Sequence, residues 1–218
     1  GAGTGSGAVA GRTTSSALAA AARLVRPADR VPPDPSAAGG DAVAARSVDL
    51  PSVPSVTAAL AAAAVGAGAA VALARGSRWR RIGVSVGIGG PGGVGNGAGY
   101  ARVDVDGIDP PGAVAAAVAA ALREPAPAVE QRHPSPALRL LAPVAGRLSD
   151  TVLVSNLGRL TLPGVARLAF FPVARGRSAV AVGCATAGDG PAVVTVRARD
   201  LAPATVGSLL DDLVDRFR

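Results

Sequence analysis

The chain has 218 residues, of which 49% are hydrophobic, 2% aromatic and 17% charged. That is enough apolar material for a packed core, so a fully disordered chain is excluded, and the length favours one domain with a tail. A single Cys rules out an internal disulfide and a Cys-based metal site.

The formal net charge is +7, yet all 22 basic residues are Arg, and the chain has no Met. Ala, Gly, Arg and Pro are the residues of GC-rich codons. The charge therefore reads as a GC-rich genome drifting Lys to Arg, and no nucleic-acid partner is expected. The densest basic run, Arg75, Arg78, Arg80 and Arg81, has only Trp79 interleaved.

Residues 1–41 read as a flexible Gly/Ala/Pro-rich segment with one short helix at Ala17 to Val25, ended by Pro27. Residues 42–218 form the folded unit. Val43 to Leu50 is a predicted strand. Thr57 to Arg75 is Ala-rich and long enough for five turns of helix. Its core, Ala58 to Ala74, is uncharged, but mostly Ala and Gly. We read it as a buried helix, with no transmembrane span expected.

Ile82, Val84, Val86 and Ile88 alternate with small residues, which predicts a strand. A Gly-rich loop leads to a second strand, Tyr100 to Asp106, alternating apolar with charged. Asp109-Pro110-Pro111 predicts a helix start, with Asp109 as cap and Val114, Val118 and Leu122 inward. A Pro-rich loop from Glu124 to Pro136 precedes helical spacing at Leu138, Leu141, Ala145 and Leu148. Four strands follow: Thr151 to Ser155, Ala166 to Val173, Ser178 to Thr186 and Ala192 to Arg197. Asp189-Gly190 marks a hairpin between the last two, and Pro203 opens a final amphipathic helix. This order argues for a mixed-sheet α/β sandwich.

Most catalytic motifs fail on the residues. Gly87-x-Gly89-x-x-Gly92 fits a dinucleotide fingerprint, but the fingerprint needs a helix next, and a strand is predicted. No Walker lysine exists. His133 is the only histidine, in a Pro-rich loop, which leaves hydrolase triads and zinc without ligands. Cys184 shares a strand face with Val180 and Val182 and reads as a small buried hydrophobe. Asp104 and Asp106 share a strand face and read as solvated. Ser155-Asn156-Leu157-Gly158-Arg159 differs: an apolar strand delivers a hydroxyl, an amide and a Gly to one end. Such groups can orient an acyl carbonyl or the next loop, although an ordinary turn is an equal reading.

The chain resembles the C-terminal half of the chloramphenicol-acetyltransferase-like superfamily. That superfamily includes peptide-synthetase condensation domains, polyketide-associated acyltransferases, alcohol acetyltransferases and wax ester synthase/diacylglycerol acyltransferases. The Ala-rich helix, the strand Ile82 to Ile88 followed by Gly95-Asn96, the Ser155-Asn156-x-Gly158 strand end and the layout from Leu160 to Arg218 carry the likeness. It implies two similar halves facing across a tunnel, in which a His removes the acceptor's proton as it attacks a thioester. That His lies in a His-His-x-x-x-Asp-Gly motif of the N-terminal half. This sequence has none, so no residue here is expected to be catalytic and the chain is expected to be inactive alone.

The resemblance implies that Ser155, Asn156, Gly158, Gly95 and Asn96 face the tunnel. Its implied partners are an N-terminal acyltransferase half or a homo-oligomer mate, and an acyl-CoA or acyl-carrier-protein thioester. No cofactor and no metal are expected. The implied location is cytoplasmic, with a membrane-peripheral one as the variant. The rival readings are a noncatalytic protein-interaction or scaffold module with the same half-fold, and an Arg-driven binder of nucleic acid or an anionic surface.

Overall fold

The computed structural model describes residues 25–37, 39–88, 99–107, 109–123, 150–173 and 180–218. Its strands are β1 (Asp41–Val48), β2 (Arg81–Ile88), β3 (Gly99–Asp106), β4 (Val152–Leu160), β5 (Val180–Ala187) and β6 (Ala192–Arg199). Its helices are α1 (Val56–Ala74), α2 (Pro111–Arg123) and α3 (Pro203–Phe217). The strands form one mixed sheet in the order β1-β6-β5-β4-β2-β3. The central strands β2, β4 and β5 run parallel, and the outer pairs are antiparallel.

Period-two patterning decides which face is covered. Ile82, Val84 and Val86, with Val103, Val105, Val152, Val154, Val180, Val182, Val194 and Val196, form the floor of one core. All three helices lie on that face. Helix α2 covers β3, α1 covers β2 and β4, and α3 covers β6 and β1. Helix α1 is long and apolar enough by length and composition to cross a membrane. Here it sits between its two neighbours with Leu60, Ala61, Ala64 and Ala67 fully buried. Alanine and glycine let it approach closely. The indole of Trp79 packs on Gly68, where a Cβ would come within 2.9 Å of Cζ3.

Two expected features are corrected. Ala166 to Val173 is not a strand: residues 161–173 run without regular structure across the sheet face opposite the helices. Phe170 accepts a hydrogen bond from Thr195 Oγ1 at 2.5 Å. The segment's backbone is thus spent on covering β5 and β6, which buries Leu153, Ala181, Ala185 and Val193. Asp109 does not cap α2. Its carboxylate accepts from the Asp106 N–H at 3.0 Å, and Pro110 C=O takes the first helical bonds. The helix at Leu138 to Leu148 and the residues 1–24 lie outside the described residues.

Of the stretch expected to be flexible, the described residues are fastened to the body. Val31 is buried. Asp29 accepts from the Arg80 and Arg81 N–H groups, and the Thr151 hydroxyl donates to Asp29 C=O at 2.6 Å. Asp34 supplies the cap that Ala202 cannot: it accepts from Ala202 N–H at 2.7 Å and Thr205 Oγ1 at 2.8 Å, and pairs with Arg75 at 2.7 Å. The Ala202 N–H, then Thr205 and Arg75, hold its carboxyl below the usual carboxylate range, against the opposing pull of burial. A depressed folded pKa gives stability that is complete above the ordinary Asp value of about 3.9 and is lost as pH falls through the folded value. Asp34→Asn is therefore expected to lower stability at neutral pH and to flatten its fall in acid. Urea midpoints measured from neutral pH downward check this.

Candidate functional site

The candidate site is the carboxyl end of β4. Strand β4 pairs with β2 only over Val152–Val154, then continues beside β5 alone to Leu160. A bulge lies between Asn156 and Gly158. Gly158 has φ +66, a left-handed conformation that glycine adopts without strain.

Ser155 and Asn156 are neighbours, so they point to opposite faces of the sheet. Asn156 turns toward the helices. Its Nδ2 donates to Thr57 Oγ1 at 3.0 Å in the first turn of α1, and its Oδ1 accepts from Gly158 N–H at 2.9 Å. The amide is thus committed to holding the bulge against the helix. Ser155 turns to the opposite face, on which none of the described helices lies. On one side it stands opposite Gly183 of β5. On the other, its Oγ is 3.2 Å from where a Cβ of Gly87 would be. The space over Gly183 is filled by Thr195 Oγ1, the Phe170 carbonyl and Pro172, so the half-buried Ser155 lies between this cover and Gly87. Gly95 and Asn96 lie outside the described residues, as does His133.

The structure adds a polar cluster that the sequence does not announce. Arg102 lies flat over Gly83 and pairs with Asp104 at 2.9 Å and with Asp150. Ser85 Oγ donates to the other Asp150 oxygen at 2.5 Å. Burial lowers the pKa of the nearby Arg30 guanidinium; Asp150 opposes this and Arg102 adds to it. Ser85 and Asp150 therefore place a charged network one pleat from Ser155. Asp150 precedes its strand and Arg102 belongs to another, so no local spacing could link them. Asp104 remains half in water, near the solvated reading.

The other motifs resolve simply. Residues 89–98 are not described, and the next described element after β2 is strand β3, as expected from the sequence. Cys184 is buried, and burial pushes its thiol up to about 11. Arg75 is withdrawn from the basic run into its pair with Asp34. Among the described residues, no three His, Cys, Asp or Glu side chains are grouped to hold a metal.

No protein-family model matches the sequence, and neither does any curated protein. Solved structures do share its architecture. The epimerization domain from the third module of tyrocidine synthetase B superposes with a TM-score of 0.57 at 15% identity, covering 87% of this chain and 51% of that one. The fold is that of about half of that domain. The starter condensation domain of rhizomide synthetase, as a mutant with C8-CoA and Leu-SNAC, gives 0.48 at 15% identity over 91% and 50%. The SgcC5 protein from Streptomyces globisporus gives 0.48 at 12% identity over 92% and 54%. The chain thus spans about half the length of the solved structures it matches.

Proposed function

We propose that this chain forms one wall of a thioester-dependent acyl-transfer tunnel, whose second wall and proton acceptor come from another half. The observation that carries the reading is the superposition of 87% of this chain on 51% of the tyrocidine synthetase epimerization domain. A fold hosts several chemistries, and the tyrocidine synthetase domain is an epimerization domain, so the reaction type is assigned from the site. Ser155, half-buried beside Gly87, orients the acyl carbonyl. Asn156 and Gly158 act one step away, by fixing the strand end that presents it.

In the reaction the acceptor's oxygen or nitrogen bonds to the acyl carbon and the carbon–sulfur bond breaks. The acceptor's proton passes through the other half's His to the leaving thiolate. Exposed apolar side chains support a missing mate. Leu157 is 45% exposed and Val173 60%, with Leu162 and Val165 also open, all on the stretch leaving β4. The rival scaffold reading draws on the single His, which is followed by Pro134 and lies in no His-x-x-x-Asp run.

The test is thioester consumption, read as free thiol, for the chain alone and mixed with a polypeptide carrying the His-His-x-x-x-Asp-Gly motif. Turnover is expected only in the mixture. Ser155→Phe, which adds bulk beside Gly87, is expected to reduce it about 100-fold, and Ser155→Ala about 10-fold. A mixture that forms a complex without turnover sinks the acyl-transfer reading in favour of the scaffold. Turnover indifferent to both substitutions removes Ser155 from the site.

A further inference from the structure

We infer that β1 pairs edge to edge with β1 of a second copy of this chain, about a two-fold axis at Ala44. Strand β1 ends the sheet, and among the described residues no strand lies beyond it. Its hydrogen-bonding directions follow from strand to strand. The Val180 N–H donates to Thr151 C=O at 3.1 Å, so Val180 aims its backbone groups at β4 and Ala181 aims its own at β6. Ala181 is in register with Arg197, so Arg197 bonds back to β5 and Ala198 bonds to β1. Ala198 is in register with Ala42. Ala42, Ala44, Arg46 and Val48 therefore bond to β6, while Asp41, Val43, Ala45 and Ser47 aim their N–H and C=O groups outward. The Asp200 N–H, which donates to Gly40 C=O at 3.3 Å, fits the same alternation. Among the described residues, these outward groups meet one donor, the Arg46 guanidinium on Ala45 C=O at 3.2 Å. A carbonyl oxygen accepts two such bonds.

The usual blocks to edge pairing are missing from this strand. It runs through eight residues in unbroken register, without Pro or bulge. Charges commonly prevent such pairing, yet both charged side chains here are turned to partners of their own chain. Asp41 accepts from Arg197 Nε at 3.0 Å, and Arg46 pairs with Asp211 of α3 at 3.0 Å. Val43, on the face away from the helices, is 52% exposed. In an antiparallel pairing of β1 with itself, outward residues must meet outward residues. Centring on Ala45 sets Asp41 opposite Asp49 of the second copy, twice, and like charges across a ladder repel. Centring on Val43 runs Ser47 past the strand to Gly39, whose φ of +73 takes it out of strand conformation. Centring on Ala44 pairs Asp41 with Ser47 and Val43 with Ala45, each twice, and uses every outward group in roughly eight backbone bonds.

The helix layer fits the same axis. Gly40 meets Asp200 just before α3, and Arg46 meets Asp211 within it, so α3 runs in the direction of β1. Stepping back from that pair, four helix residues cover about 6 Å and two strand residues about 7 Å, which brings Gly207 level with Ala44. Gly207 lies one turn before Asp211, and a Cβ there would meet nothing within 4 Å. The two copies of α3, on one side of the joined sheet, can therefore approach closely at the axis.

Two short edges and one helix crossing make a small interface, so the dimer is concentration-dependent rather than permanent. Sedimentation of the chain alone, from about 10 μM to about 1 mM, is expected to show a monomer–dimer equilibrium. Amide exchange at Val43, Ala45 and Ser47 is expected to slow as concentration rises. Exchange at Ala42, Ala44 and Arg46, already bonded to β6, is expected to stay constant. Val43→Glu sets two carboxylates diagonally across the axis and is expected to weaken association about 10-fold or more. Gly207→Leu fills open space in the monomer and favours helix, so it is expected to keep or raise the urea midpoint while weakening association about 10-fold. A monomer throughout, slowing at residues 42, 44 and 46 instead, or a dimer indifferent to either substitution overturns the inference. No substrate or His-bearing half enters the experiment, so its outcome is separate from that of the acyl-transfer reading.

Discussion

A Gly107→Ala variant is expected to be destabilised by about 3 kcal/mol, with its thermal midpoint lowered by roughly 6–12 °C. The backbone of Trp79 crosses directly over this glycine: a Cβ there would come 2.5 Å from the Trp79 carbonyl carbon and closer still to its oxygen. Backbone cannot swing aside as a side chain can. The end of β3 must separate from residues 79–80, breaking the 3.0 Å bond from Gly107 N–H to Arg80 C=O. It also shifts the indole that fills the groove on α1. Gly68→Ala is a contrasting probe, because its clash is with the Trp79 ring alone. Trp79→Ala removes that ring at a cost of about 4 kcal/mol, and in that background Gly68→Ala becomes neutral or mildly stabilising, since alanine favours helix. Gly107→Ala keeps its full cost there. A double-mutant cycle on urea midpoints reads both couplings. Equal relief at the two glycines would refute the distinction between ring and backbone. The indole N–H of Trp79 is buried without a hydrogen-bond partner among the described residues, so Trp79→Phe loses area but also removes an unsatisfied donor.

The strands of this sheet were readable where alternation was strict. Ile82 to Val86 and Tyr100 to Asp106 show one apolar face each and lie where the periodicity puts them. Helix α1 was readable from alanine content, and the superposition upholds the half-fold drawn from the order of elements. The failures have a common physical source. Residues 166–173 contain Leu, Phe and Val at strand-like density, but Pro172 withholds an amide donor from any ladder. Their apolar side chains serve as a cover instead. The cap of α3 was invisible because Asp34 reaches it from 168 residues away. Asp109 looked like a cap by position, yet a turn back to Asp106 competed for the same carboxylate. At the candidate site, the Ser155-Asn156 pair was legible as polar groups at a strand end. Their separation onto opposite faces follows from the pleat. The glycines beside Ser155 and the cover over one of them come from other parts of the chain, and a one-dimensional spacing cannot show that.

Gly183→Ala is expected to lift the covering segment from the sheet while leaving the helix side intact. A Cβ at Gly183 would meet Thr195 Oγ1 at 2.5 Å, Phe170 C=O at 2.6 Å and Pro172 Cδ at 2.9 Å. Thr195 belongs to the sheet and its hydroxyl is the anchor of the cover, so the added methyl attacks the anchor and the anchored group together. The sheet is locked on its other face by the helices. Relief therefore comes through residues 168–172, which carry no ladder bonds. Arg167 is exposed at the edge of this stretch, and trypsin cleavage after it reports the opening. Cleavage is expected to quicken about 10-fold, corresponding to about 1.4 kcal/mol of local opening, with a smaller fall in the global midpoint. Thr195→Val removes the hydroxyl bond without adding bulk at Gly183 and should quicken cleavage less. Because Gly183 stands beside Ser155 in the register, the displaced cover also disturbs the surroundings of Ser155, where the acyl carbonyl is proposed to lie. Loss of turnover with Gly183→Ala but not with Thr195→Val would trace the effect to the added methyl. Equal loss in both would trace it to the cover. Unchanged cleavage in Gly183→Ala would show that the strain is absorbed within β5 and β6.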